Sequence, residues 1–188
     1  MPFTEQEFLD AILSRNKQIS EDYKLSTSVQ DIKVFSNSKN KNLNDFKVSG
    51  SINEPFQKVV DFYHDLNFRK EWDSFTHSST RLACIVGSSQ IFNWVMKYTF
   101  PWKNREYFYE QESKTICNEE GTFHVILAKN YLGMEEPVKD GNVKVTNFHS
   151  TIVLWSNSEN DLKTLVFAEY LDDPQGSFNE TLINKAIK

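Results

Sequence analysis

A succession of strand-like segments fills the second half of the chain and constrains the fold more than any other feature. From Thr80 onward, runs of β-branched and aromatic residues alternate with short turns. Strands that follow one another through short turns usually pair in an antiparallel sheet. The pattern predicts six such strands, over residues 80–86, 90–98, 106–112, 122–128, 143–155 and 162–171.

The first residues predict an N-terminal helix with a defined start. Thr4 and Glu7 form a capping box, and Phe3 and Phe8 stand at the two positions of a hydrophobic staple around it. The helix is therefore expected to begin here and to run to about residue 15. Its apolar face is expected to comprise Phe8, Leu9, Ile12 and Leu13.

The middle of the chain adds strands and a second helix. Strands are expected at residues 31–35 and 46–52, joined by a polar loop of serines, asparagines and lysines at 36–42. After Pro55, apolar residues at helical spacing predict a helix from Phe56 to about Leu66. A second capping box, Ser177 to Glu180, predicts a last, short helix at 181–187.

These elements predict one α+β domain that spans residues 1–188. Three helices at the N-terminus, the middle and the C-terminus cover only part of an antiparallel sheet of about nine strands. A sheet that curves around a helix can bury its apolar face even though there are few helices to cover it. The expected architecture is therefore a curved sheet that grips a helix.

Composition excludes several classes of function. A net charge of −5, with acidic and basic residues mixed along the chain, argues against a nucleic-acid-binding protein. Cys84 and Cys117 are too few for a disulfide framework or a zinc site, which favours buried, reduced thiols in a cytoplasmic protein. The N-terminus does not resemble a secretory signal, and no apolar run reaches the length of a membrane span, so any membrane contact is expected to be peripheral.

The sequence does not predict an enzyme. The four histidines lack a metal-binding spacing, and the chain has no nucleophile-elbow motif and no glycine-rich phosphate loop. Histidines such as His124 and His149, within predicted strands, are expected to be structural. We therefore expect no cofactor, no metal and a monomeric binding protein.

Aromatic residues are concentrated in the segment from Trp94 to Tyr107, on both sides of a turn at Pro101. Phe92, Trp94 and Met96 alternate along one predicted strand, and Tyr107 and Tyr109 share one side of the next. On pattern alone, packing in the core is the favoured interpretation. The alternative is a binding site, since the faces of aromatic rings attract cations.

Four strings of residues carry a resemblance to a known family: Arg69-Lys70-Glu71-Trp72-Asp73, Lys97-Tyr98-Thr99-Phe100-Pro101, Asn104-Arg105-Glu106-Tyr107 and Asp173-Pro174-Gln175-Gly176-Ser177. They resemble strings of START lipid-transfer domains, and the resemblance covers most of the chain. It implies a helix-grip fold in which a lipid tunnel lies between the sheet and the C-terminal helix.

The resemblance also implies a phospholipid site. Arg69, paired with Asp73 four residues later, would bind the lipid phosphate; the alternative is an exposed ion pair of little energetic value. Trp94, Tyr107 and Phe148 would form an aromatic cage for choline, with phenylalanine where the family usually has tyrosine. Phosphatidylcholine is then the expected ligand, and sphingomyelin has the same head group. A sterol, a ceramide or a sensor that binds a protein partner remain alternatives.

Membrane contact is expected at the turn that contains Phe100 and Trp102, beside Lys103. An exposed tryptophan next to a lysine suits a membrane interface. The alternative is that Trp102 packs on a neighbouring loop. The C-terminal helix, which in the family covers the tunnel, would form a second gate. Only about two turns of this helix are expected before Lys188.

Overall fold

The computed structural model describes residues 2–37, 39, 43–84, 89–98, 101–133, 138, 141–156 and 162–175. These residues contain helices α1 (Glu5–Ser14), α2 (Phe56–His64) and α3 (Leu66–Trp72). The predicted C-terminal helix and its capping box lie outside them. The strands are β1 (Tyr23–Val29), β2 (Ile32–Asn37), β3 (Asn44–Ile52), β4 (Thr76–Cys84), β5 (Gln90–Met96), β6 (Arg105–Asn118), β7 (Gly121–Asn130), β8 (Val143–Val145), β9 (Phe148–Ser156) and β10 (Thr164–Asp172).

All the strands belong to one sheet in the order β1-β2-β3-β10-β9-β7-β6-β5-β4, with β8 paired to β6 off this path. Neighbours along the path pair antiparallel, whereas β8 runs parallel to the start of β6. The prediction of an α+β fold built on one large antiparallel sheet is confirmed.

The two faces of the sheet are covered by different helices. Helix α1 packs on the face that carries Phe123, Val125 and Val153, and forms one core cluster with them. Helix α2 packs on the opposite face through Val59 and Val60, against a second cluster on β9 and β10. Next to α2, this second face carries an aromatic cluster: Phe92, Trp94, Tyr107, Tyr109 and Phe148.

Helix α1 begins as predicted, but its buried face differs from the prediction. The Thr4 hydroxyl accepts a hydrogen bond from the Glu7 amide, and the Glu7 carboxylate accepts one from the Thr4 amide, so the capping box is confirmed. Leu9 and Leu13 are 41% and 57% exposed, and Ala11 is buried instead. A small side chain at position 11 allows the helix to approach the sheet closely.

The second predicted helix is two helices that meet at Asp65. The Asp65 amide donates to the carbonyls of Asp61 and Phe62 and ends α2. Its carboxylate accepts hydrogen bonds from the amides of Asn67 and Phe68, at 3.1 and 3.0 Å, and begins α3. One side chain therefore ends one helix and caps the next.

Strand β1 was not predicted, and the predicted strand at 143–155 is two strands. β1 is an edge strand with exposed Leu25 and Val29, so it lacks the apolar alternation of a half-buried strand. β8 pairs with residues 105–107 of β6, beyond the segment of β6 that pairs with β7. The chain then re-enters the sheet as β9 beside β7.

The expectation that both cysteines are buried is wrong for Cys117, which is an exposed free thiol. Cys117 pairs with Thr122 close to the turn between β6 and β7. Ile116 packs against the core cluster under α1 but is only partly buried. The end of this hairpin therefore extends toward solvent.

Candidate functional site

The cap at Asp65 determines where Arg69 lies. Helix α3 spans seven residues and places Arg69 near its end, with the Arg69 Nε atom 3.5 Å from Oδ2 of Asp73. Both side chains are largely buried, with exposed fractions of 20% and 14%. The ion pair is therefore present but is not exposed as the alternative expected; it limits the orientation of the guanidinium, and the phosphate-binding role of Arg69 stays a prediction.

Asp73 also connects the helix to the sheet through a relay of hydrogen bonds. Its Oδ2 accepts a hydrogen bond of 2.6 Å from the Thr76 hydroxyl. The Thr76 Oγ1 accepts a hydrogen bond of 2.8 Å from Nε1 of Trp94. Since Thr76 is 1% exposed, water does not compete for these contacts. The hydrogen bonds from Trp94 to Thr76 and from Thr76 to Asp73 thus hold the indole in one orientation. Asp73 is also the residue that pairs with Arg69.

The three predicted cage residues are buried and in contact with one another. The rings of Trp94 and Tyr107 stack with centroids 4.8 Å apart, and the rings of Tyr107 and Phe148 meet edge to face at 5.6 Å. The guanidinium carbon of Arg69 lies 4.6 Å from the centroid of Trp94. The structure therefore brings the predicted phosphate-binding residue and the predicted cage together.

Two more tyrosines that pack on Phe148 belong to the same cluster. Tyr109 contacts Phe148 at 5.3 Å between centroids, and Tyr170 contacts it at 5.6 Å. Phe92 stacks on Tyr109. Tyr170 was not among the predicted site residues, although its position two residues before Asp172 places both on the face that carries Phe148.

A buried carboxylate lies next to the cage, and sequence reasoning missed it. Asp172 is fully buried and pairs with Phe148 across β9 and β10. Its Oδ2 accepts hydrogen bonds from the hydroxyls of Tyr107 and Tyr170. Burial raises the pKa of Asp172, and the hydrogen bonds from the tyrosines and Asn44 only partly offset this effect. Burial and the charge of Asp172 raise the pKa of Tyr107 well above its usual value.

A cavity of about 590 Å³ lies between α2 and α3 on one side and β4, β5 and β6 on the other. Arg69, Phe92 and Tyr109 line it, together with polar side chains that include Arg81 and Gln111. Its size is in the range of small-molecule sites. The three cage residues are not part of its lining, and they adjoin it through Arg69 and Tyr109.

The histidines do not form a metal site within the described residues, where no cluster of three or more potential ligands occurs. His124 contacts Thr115 through Nδ1 and His64 through Nε2, each at 2.9 Å, and so connects β7 to the end of α2. Burial, with the nearby His64, lowers the pKa of His124 to about 4. These contacts give His124 the structural role that was expected.

The expected membrane gate is only partly described. Trp102 is half-buried, in the turn that precedes β6. Phe100 lies outside the described residues. Within the described part of the chain, no helix combines the length and apolarity needed to cross a bilayer.

Comparison with known proteins identifies both the family of the chain and its fold. The sequence profile of the START domain matches residues 4–188. The chain belongs to the START domain family. This START domain is 29% identical to the phosphatidylcholine transfer protein of Bos taurus and 27% identical to that of Homo sapiens, over 99% of this chain and 87% of each relative.

Solved structures show the same START fold at low sequence identity. Human STARD10 aligns with a TM-score of 0.82 and 17% identity, covering 99% of this chain and 74% of that chain. Human StAR-related lipid transfer protein 5 aligns with a TM-score of 0.75 and 13% identity, covering 96% and 85%. The family membership predicted from the sequence is thereby confirmed, together with the fold.

Proposed function

We propose that this START domain binds one phosphatidylcholine molecule and transfers it between membranes, without catalysis. The observation that carries the proposal is the contact between Arg69 and Trp94, beside Tyr107 and Phe148. Phosphatidylcholine presents a phosphate and a quaternary ammonium close together, and this site offers a guanidinium over the ring of Trp94, with the rings of Tyr107 and Phe148 beside it. The relatives at 27–29% identity are named as transfer proteins for this lipid.

The contacts of Trp94 suggest how the head group enters. Tyr107 stacks on the indole, and the guanidinium of Arg69 lies over it. We propose that the lipid phosphate draws the guanidinium away from the ring, and that the choline ammonium replaces it there. One cation over the ring is then exchanged for another, while the hydrogen bonds from Trp94 to Thr76 and from Thr76 to Asp73 keep the indole in place.

Head-group contacts, rather than the acyl chains, would determine the choice of lipid. Burying a methylene group stabilises by about 0.8 kcal/mol, but a bilayer already provides the same burial. A desolvated cation over a ring contributes about 0.5–2 kcal/mol, and a charge-assisted hydrogen bond contributes about 1.5–3 kcal/mol. The phosphate contact is common to all phospholipids, so the ring contacts would favour choline lipids among them, and sphingomyelin, which carries the same head group, is expected to bind as well.

Delivery requires contact with a membrane, for which we propose the turn around Phe100 and Trp102. A half-buried tryptophan can place its ring at the depth of the lipid head groups while Lys103 stays in water. We expect a monomer that acts in the cytoplasm and touches membranes transiently.

A vesicle assay tests the proposal, with phosphatidylcholine, sphingomyelin, phosphatidylethanolamine and phosphatidylglycerol as labelled lipids. Both choline lipids should move much faster than the other two. Phe148→Leu removes a cage ring and should slow choline-lipid transfer about tenfold. Phe108→Leu is the matched control, since Phe108 is 3% exposed but lies on the opposite face of the sheet.

Equal transfer rates for the choline and ethanolamine lipids would contradict the head-group assignment. Choline-lipid binding without transfer would instead support the alternative of a lipid sensor. A similar loss in Phe148→Leu and Phe108→Leu would mean that Phe148 contributes only to packing.

A further inference from the structure

The carboxylate of Asp172 is fully buried at the end of β10. A buried carboxylate is costly unless partners compensate it. Oδ2 accepts hydrogen bonds from Tyr107 and Tyr170, but Oδ1 accepts none of ordinary geometry, although the Asn44 amide is close enough to help lower the pKa. The protein's own hydrogen bonds therefore only partly compensate the cost of burying this carboxylate.

A cation that interacts with Asp172, Arg105, is engaged in holding the chain that follows β10. Arg105 interacts electrostatically with Asp172. Its Nε donates to the carbonyl of Pro174, and its Nη2 to the carbonyl of Gln175 at 3.0 Å. A cation placed in the aromatic cage would come within reach of the same carboxylate, because Tyr107 is both a wall of the cage and a hydrogen-bond donor to Asp172.

We infer that Asp172 is the counter-charge that makes this site selective for a cationic head group. The inference rests on the proposed function, which places the ammonium at the cage. In a site closed to water, a carboxylate at the hydroxyl end of the Tyr107 ring attracts an ammonium and repels an anionic head group. The hydrogen bond from the Tyr107 hydroxyl also makes the ring more electron-rich, which strengthens its attraction for a cation.

A purely structural role is the competing explanation, in which Asp172 only positions the two tyrosines. Asp172→Asn separates these roles because the amide oxygen can still accept from one or both hydroxyls, while the charge is gone. The measured quantity is the ratio of phosphatidylcholine to phosphatidylglycerol bound from equimolar vesicles. These lipids share the phosphate and the acyl chains and differ in the cation.

Asp45→Asn is the matched control. Asp45 also accepts a hydrogen bond from a tyrosine hydroxyl, that of Tyr23 at 2.7 Å, and lies on the strand beside β10. It pairs with Leu171, so it faces the opposite side of the sheet from Asp172. Asp172→Asn should lower the lipid ratio at least tenfold, and Asp45→Asn should leave it unchanged.

An unchanged ratio in a folded Asp172→Asn protein would overturn the inference and leave the structural role. If that variant does not fold, Asn44→Lys is decisive, since it places a cation opposite Asp172 at a half-buried position. A tenfold lower ratio supports the inference, and the wild-type ratio overturns it. A wild-type protein that does not prefer phosphatidylcholine would show instead that the proposed function is wrong.

Discussion

At the scale of residues, the candidate site is a chain of coupled side chains. Arg69 pairs with Asp73, Asp73 holds Thr76, and Thr76 holds the indole of Trp94. Each member limits the freedom of the next, so the site is organised before any lipid arrives. Preorganisation of this kind reduces the entropy that binding must overcome.

Arg69→Ala should weaken binding of every phospholipid by tenfold or more, because all of them carry the phosphate. Its effect on the free energy of unfolding should be smaller than its effect on binding, since Asp73 keeps its hydrogen bonds from the Thr76 hydroxyl and the Phe75 amide when the guanidinium is lost. Arg81→Ala is the control, because Arg81 lines the same cavity and contacts Gln90 at 3.3 Å. Lipid titration and thermal unfolding of both variants check the prediction, and wild-type affinity in Arg69→Ala would remove Arg69 from the site.

The sequence predicted some site residues better than others. Arg69, Asp73, Trp94, Tyr107 and Phe148 were assigned through family resemblance, and the structure places them together, while their roles remain predictions. Asp172 and its partner Tyr170 were missed because an aspartate at the end of a strand usually marks a turn. The burial of Asp172 depends on the pairing of β10 with β3 and β9, which is not visible in local sequence.

At the scale of elements, the junction between α2 and α3 determines the position of Arg69 in the candidate site. Asp65 ends the first helix and caps the second, and the second carries Arg69. Helical periodicity alone predicts one continuous helix here. Its apolar residues, Phe56, Val59, Val60 and Tyr63, keep the same helical spacing up to the junction. The break comes from a single side chain that hydrogen-bonds to the backbone, an effect that periodicity does not detect.

Asp65→Ala should remove about 1 kcal/mol of stability through loss of the cap, and should also weaken phospholipid binding because α3 no longer holds Arg69 firmly. Thr4→Ala removes the corresponding cap of α1, on the face of the sheet that faces away from the cavity. Calorimetry should show similar destabilisation for both. Only Asp65→Ala should lose lipid affinity, and a similar loss in Thr4→Ala would contradict this view of the junction.

At the scale of the whole molecule, one sheet separates a face that is packed against α1 from the face that carries the candidate binding site. Helix α1 and its core cluster cover the first, whereas α2, the cavity and the aromatic cluster occupy the second. The strand pattern predicted the sheet because consecutive antiparallel strands depend on local turns. It missed β1 and predicted β8 and β9 as one strand, since an exposed edge strand and a short parallel pairing leave little apolar signal.

Native mass spectrometry tests the central claim most directly. The purified protein is incubated with vesicles that contain equal amounts of choline, ethanolamine, glycerol and serine phospholipids, and the bound lipid is then extracted and identified. The account predicts a complex of one protein with one lipid, strongly enriched in phosphatidylcholine. A complex that reflects the vesicle composition, or one enriched in a different head group, would contradict it.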